Sequence, residues 1–223
     1  MDLLDFGLKP LRDHLSEAVK GEVRRRAQRR RFEDKQALHM RGDDEARLCI
    51  VASGMVRFGR FQHDGSFKLL AMLGPGAHYG DVALQRHAFT QNVYALGPTE
   101  IDVIDAAALE ILLRDQPELA VALWRCNTAR LNAVLELYDD ARTLNVTARL
   151  AKVIYVHMGR GEVANGVACL QRDLAELLGV SKVALGNAMR DLERAGLVQS
   201  GYRRIIVLNK AKLKSWLRTS GSA

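Results

Sequence analysis

Gln171 to Arg190 constrains this chain more than any other stretch, because its apolar residues fit two short helices with one tight corner between them. Leu174, Leu177 and Leu178 recur at i, i+3, i+4 and so lay one stripe on the first helix. Gly179 supplies a residue that takes a positive φ and ends that helix, and Ser181 is a good N-cap for the next. There Leu185, Ala188, Met189 and Leu192 form a buried face, while small Ala175 lets the helices approach at a steep angle. Lys182, Val183, Asn187 and Arg190 are left facing outward. A face exposed from a helix N-terminus onward is what a DNA major groove accepts. A plain helical hairpin also satisfies the periodicity, but alanine, glycine and apolar residues at fixed offsets through the whole segment favour the DNA-reading unit.

Charge points the same way. The 223-residue chain carries a formal net charge of +7, which favours a polyanionic partner. Thr143 to Ala223 holds 13 Lys or Arg against 5 Asp or Glu, a local excess of +8 that leaves −1 for the remainder. Cys49, Cys126 and Cys169 are widely separated, match no metal or cluster spacing, and read as small buried apolar residues of a reducing compartment. With no signal-peptide pattern and no long uncharged apolar run, a cytoplasmic protein without a membrane partner is expected.

Upstream, Leu3 to about Arg31 reads as helical, with Leu11, Leu15 and Val19 on one face. Its basic run, Arg24 to Arg26 and Arg29 to Arg31, is expected to stay solvated at a helix end or strand edge. From Phe32 to Asp105 short strands alternate with turns: Leu48–Ala52, Met55–Phe61, the turn His63–Ser66, then Phe67–Leu73, Asn92–Leu96 and Ile101–Ile104. Such spacing implies a closed jelly roll or barrel. A short helix, Ala106 to Arg114, stops before Pro117, and Glu118 to about Arg142 then runs without Gly or Pro. In it Ala120, Trp124, Asn127, Leu131, Val134, Tyr138 and Ala141 alternate by four and three, a coiled-coil seam. Leu119, Leu123, Ala133 and Leu137 supply a second apolar face. One face packs on the barrel; the other most simply meets the same helix of a second copy, predicting a two-fold homodimer.

Asn145 is a plausible N-cap for a helix over Val146 to Met158, which places a hinge at Thr143 to Asn145. Gly159 to Gly161 ends that helix, and Asn165-Gly166 joins short strands around Val163 and Val167 to Leu170. After the helix pair, Leu197–Gln199 and Arg204–Leu208 flank a turn and make a wing, with Arg203 and Arg204 placed for phosphate. The fold class is α+β, in three parts: a sensor jelly roll over 1–116, a dimerisation helix over 117–143 and a winged helix-turn-helix over 144–223.

The order of parts resembles the Crp/Fnr superfamily of bacterial transcription regulators over nearly the whole chain. The motifs that carry it are Gly42-Asp43, Gly54-Met-Val56, Leu73 to Asp81, Val146-Thr-Ala-Arg-Leu150 and residues 171–196. The resemblance implies a homodimer on a roughly palindromic promoter site in double-stranded DNA, with half-sites one helical turn apart, and RNA polymerase as a partner if it activates. It also implies an effector pocket in the jelly roll at Gly80, Asp81, Phe89, Thr90, Val134 and Leu135.

The departures are informative. Asp81 stands where cyclic-AMP-binding members carry a glutamate for the ribose. Phe89-Thr90 stands at the Arg-Ser pair for the phosphate, and Val134-Leu135 at the polar pair for adenine. A phenylalanine cannot neutralise a phosphate, so cyclic AMP is not expected. An iron–sulfur cluster lacks its cysteines. Haem, despite His14, His39, His63, His78 and His87, is disfavoured because His78 beside Tyr79 reads as a surface or hydrogen-bonded turn residue. The effector, if there is one, is an unidentified small molecule. On the reading helix, Lys182, Val183 and Asn187 replace the family's Arg, Glu and Arg, so a different target is expected. Lys182 suits guanine or phosphate, Val183 a thymine methyl and Asn187 adenine. Gln171, Arg172, Ser181, Arg190 and the wing arginines are expected on phosphate. A sensor acting through protein contact, with haem or another small molecule as effector, is the alternative. No nucleophile, metal or nucleotide-binding motif points to an enzyme.

Overall fold

The computed structural model describes residues 8–44, 47–65, 67–81, 88–158, 166–168, 171–202 and 204–220. The chain forms two compact units, Asp2–Arg130 and Leu131–Ala223.

The first unit is a two-sheet jelly roll. One sheet has the order β1-β8-β3-β6, from β1 (Gln28–Phe32), β8 (Thr99–Asp105), β3 (Arg47–Ser53) and β6 (His78–Tyr79). The other has the order β2-β7-β4-β5, from β2 (Ala37–His39), β7 (Asn92–Ala95), β4 (Val56–Phe61) and β5 (Phe67–Leu73). Cys49, Val51, Val56, Tyr79, Phe89, Val93, Ile101 and Val103 fill one core. Leu48, Ile50 and Ile104 belong instead to a second core with the helices α1 (Glu17–Arg26), α2 (Ala106–Asp115) and the start of α3 (Pro117–Thr143). Strand β3 is therefore buried on both faces, which is why Leu48 to Ala52 is a continuous apolar run rather than an alternating one. Pro117 sits at the first turn of α3, where its missing N–H costs nothing.

The expectation of helix through Arg31 is corrected. After the 3₁₀ turn Leu11–His14, α1 ends at Arg26, and Gln28–Phe32 is an edge strand paired with β8 from Gln28↔Val103 to Phe32↔Thr99. Its arginines answer acids on the neighbouring strand: Arg29 Nε lies 2.8 Å from Asp102 and Arg31 Nε 2.8 Å from Glu100. Helical periodicity at Leu11, Leu15 and Val19 does not extend beyond α1, and the charges that define β1's register lie some seventy residues away.

On α3, Leu119, Ala122, Leu123 and Cys126 are buried. The seam residues Trp124, Leu131, Val134 and Tyr138 are instead more than half exposed, as is Leu135. In the second unit α4 (Val146–His157) packs against α6 (Lys182–Arg194) and α7 (Lys210–Ser220). A three-stranded sheet has the order β10-β11-β9, from β10 (Val198–Gly201), β11 (Arg204–Val207) and β9 (Gly166–Ala168). Asn145 caps α4 by accepting from the Ala148 N–H at 2.9 Å. Helix α7 goes beyond the elements expected from sequence, although Leu213, which is fully buried, and Trp216 and Leu217 show helical spacing. Residues 159–165, including Val163 and Asn165, and Cys169 and Leu170 lie outside the described residues.

Candidate nucleic-acid interface

The helix pair forms as its sequence requires. Helix α5 (Gln171–Leu178) ends at Gly179, whose φ of +65° is the left-handed conformation that glycine tolerates. The corner closes through Val180 N–H to the Ala175 carbonyl at 3.0 Å, and Ser181 Oγ then accepts from the Ala184 N–H at 3.1 Å to start α6. Leu174, Leu178, Leu185, Ala188, Met189 and Leu192 are buried, with Leu177 half-buried.

The outer face of α6 presents Lys182, Val183, Asn187 and Arg190 to solvent, with Val183 73% exposed. An apolar side chain that bare has no role in the fold and suits a thymine methyl. Asn187 and Arg190 form one unit: Arg190 donates to Asn187 Oδ1 and, at 3.4 Å, to the Gly186 carbonyl. Gln171 is exposed at the start of α5. The side chain of Arg172, and Arg203, lie outside the described residues. Arg204 is exposed at the base of the wing turn, next to Tyr202, which is 89% exposed.

Polar residues outside the reading face hold this unit together. Arg149, within the Val146-to-Leu150 motif, donates to the Leu178 carbonyl at 2.5 Å and so caps the last turn of α5. Thr147 Oγ1 reaches Asp191 of α6 at 3.4 Å. Lys152 pairs with Asp140 at 2.8 Å and Glu136 at 3.6 Å, fastening α4 to the end of α3. The motif itself was visible in the sequence; which carbonyl its arginine serves depends on the packing of α4 against α5.

In the first unit Gly80 and Phe89 lie side by side, since a Cβ on Gly80 would stand 3.5 Å from the Phe89 ring. Gly80 has a φ of +82°, and a Cβ there would lie 2.3 Å from the Arg47 carbonyl, so the turn into Asp81 requires glycine. Phe89 is buried in the barrel core and stacks on His39 with ring centroids 4.1 Å apart. Its backbone exchanges bonds with the Gly42-Asp43 turn, at 2.9 Å from the Gly42 N–H and 2.8 Å to the Asp43 carbonyl. Thr90 is exposed, and its carbonyl accepts from Arg60 at 3.3 Å. Val134 and Leu135 are exposed on α3 in the other unit.

Of the two expectations for His78, surface or hydrogen-bonded, the second is met, but in a strand instead of a turn. It lies in β6, fully buried, paired with Ile50 across the sheet. The Arg130 guanidinium lies 3.4 Å from both ring nitrogens and donates to the His78 carbonyl, and it stands 3.9 Å from Asp81. Burial first, then the Arg130 charge, pushes the His78 imidazole down to about 3. Burial first, then Arg47, pushes His39 down to about 4. Both are neutral imidazoles. Burial raises the Cys49 thiol to about 12, so it is an inert core residue. Of the other histidines of the first unit, His63 is exposed, His14 is half-buried and His87 lies outside the described residues. Among the described residues no group of three or more His, Cys, Asp or Glu could hold a metal ion. No helix among them is long and apolar enough to cross a membrane.

Comparison with known proteins agrees with both units. A family model described as a cyclic nucleotide-binding domain matches residues 29–116, and one described as a Crp-like helix-turn-helix domain matches residues 148–216. The transcriptional regulator LdrP of Thermus thermophilus is 27% identical over 207 residues, covering 87% of this chain and 97% of the relative. A CRP-like cAMP-activated global transcriptional regulator of Mycobacterium tuberculosis is 25% identical over 179 residues, covering 77% of this chain and 80% of the relative. Among solved structures, FixK2 from Bradyrhizobium japonicum superposes with a TM-score of 0.68 at 20% identity, covering 85% of this chain and 96% of that one.

Proposed function

Because this chain belongs to the Crp/Fnr family of transcription regulators, with a helix-turn-helix DNA-binding domain, we propose that it acts as a homodimer on a near-palindromic promoter site whose sequence differs from that of the cAMP-activated members. The exposed row Lys182, Val183, Asn187 and Arg190 on α6 carries this reading. It combines one cation, one methyl-seeking side chain and one amide suited to adenine, beside a wing that carries Arg204. Gln171, Arg190 and Arg204 act on phosphate. Dimerisation uses the open seam of α3, where Trp124, Leu131, Val134 and Tyr138 lie bare at coiled-coil spacing, with Ala120 one turn before them and Asn127 among them. A site in the cytoplasm and, for an activator, contact with RNA polymerase follow from this role.

The effector is not a cyclic nucleotide. The described residues do not fit one: the Phe89 ring occupies core space against His39 and offers no donor to a phosphate. Asp81 faces Arg130 and His78. Regulation runs through a different small molecule or through the protein's abundance.

Selection of duplexes from a random library by the full-length protein, followed by footprinting, tests the proposal. Enriched sites should be inverted repeats centred about 10 base pairs apart, protected by two copies of the chain. Weak binding without sequence ranking would overturn it, and so would a single bound copy on an asymmetric site.

A further inference from the structure

The reading helix and the wing are joined by a side chain that neither the motif nor the comparisons single out. Glu193 lies in the last turn of α6, and its Oε1 accepts from the backbone N–H of Ser200 at 2.8 Å and from the Ser200 hydroxyl. Ser200 pairs with Ile205, one position before Gly201 and Arg204 close the hairpin. Strand β10 is the outer strand of its sheet, so an N–H on its open side finds no strand partner. Glu193 takes that N–H, and both bonds hold its carboxyl below the usual carboxylate range. Beyond the clamp, the wing carries Tyr202 and Arg204 into solvent.

We propose that Glu193 is a positioning residue for DNA binding: by clamping Ser200 it fixes the wing relative to α6, so that Arg204 and Tyr202 engage the duplex in register with Lys182 and Asn187. The inference rests on the reading of this unit as a DNA reader and adds what sets its geometry. A wing held at one angle does not lose its conformational freedom on binding, so its phosphate contacts come at lower entropic cost. A loose wing leaves the α6 contacts intact and forfeits its own.

The test must separate the clamp from charge, because removing a carboxylate near DNA by itself strengthens binding to phosphate. Glu193→Gln and Glu193→Ala remove the same charge, but only glutamine keeps an oxygen able to accept from Ser200. Full-length wild type and both variants are titrated against the best duplex selected by wild type, over a range of salt concentrations, with thermal melts of each protein. The expected result is that Glu193→Ala binds about fivefold or more weaker than Glu193→Gln, the loss of one ordinary hydrogen bond per half-site. Its salt slope should be shallower by about one per wing phosphate contact released. Melting temperatures of the two variants should agree. Equal affinity and equal slope for Gln and Ala would overturn the clamp, and so would an Ala deficit that appears without any change in slope. Should Glu193→Ala fail to fold, Glu193→Asp, which keeps the charge on a side chain one methylene too short to reach Ser200, takes its place with the same expectations against wild type. If wild type itself ranks no duplex, the DNA-reading proposal fails first and independently of the clamp.

Discussion

Acidification should unfold the sensor unit through two histidines kept neutral in its interior. His39 and His78 are 5% and 0% exposed, with imidazoles held down to about 4 and about 3 against an ordinary 6.5. The sign follows from linkage. Below pH 6.5 the unfolded chain takes up protons that the folded chain refuses, so stability is full above that value and falls as pH drops toward the folded values. Between pH 7 and pH 5 each histidine withdraws about 2 kcal/mol, or about 4 kcal/mol together, a large part of the 5–15 kcal/mol typical of a domain. The carboxylates held low by their partners, Glu17, Glu118 and Glu193, have ordinary values of 4.5 and so contribute only at still lower pH. Urea unfolding followed by circular dichroism at pH 7 and pH 5 reads the loss. His39→Asn and His78→Asn, unstable as they will be at pH 7, should each lose about 2 kcal/mol less than wild type over that interval. A wild-type midpoint that does not move, or variants that lose as much as wild type, would show that these imidazoles protonate without disturbing the fold.

Other outcomes follow from single contacts. Phe89→Ala empties the stack on His39 and should cost about 3–5 kcal/mol in chemical denaturation without conferring affinity for cyclic AMP in calorimetry. Arg149→Met leaves the last turn of α5 without its cap; a loss of about 1.5–3 kcal/mol should appear in the melt of the DNA-binding unit, with DNA affinity falling alongside. Asn187→Ala should relax the preference for A·T at one position per half-site by about 1–3 kcal/mol in competition binding, while leaving the other positions ranked as before. Cys49, raised to about 12, should resist a thiol reagent at pH 8 in native Cys126→Ser/Cys169→Ser protein and react at once in urea.

Much of the architecture was legible because it is encoded locally. The stripe Leu174, Leu177, Leu178, the positive-φ glycine at 179 and the cap at Ser181 each act within one or two turns of chain. The same holds for Asn145 and for a long helix that contains no Gly and only an initial Pro. The exposed row on α6 follows from its buried one by helical geometry alone. Strands β1, β2 and β6 were not legible. Five residues rich in arginine, or two or three residues of any kind, carry no period-two signal, and their pairing is decided by partners far along the chain.

The order of parts and the reading face of the second unit were thus set by residue type and short-range spacing, while the mismatch at Phe89 follows from the resemblance to the family. Tertiary structure alone decided that Phe89 becomes core against His39, that His78 is sealed beside Arg130, that Arg149 caps a helix it does not belong to, and that Glu193 holds the wing. These depend on which surfaces meet when sheets stack and helices cross. A burial or a bond between elements has no signature in the spacing of either one.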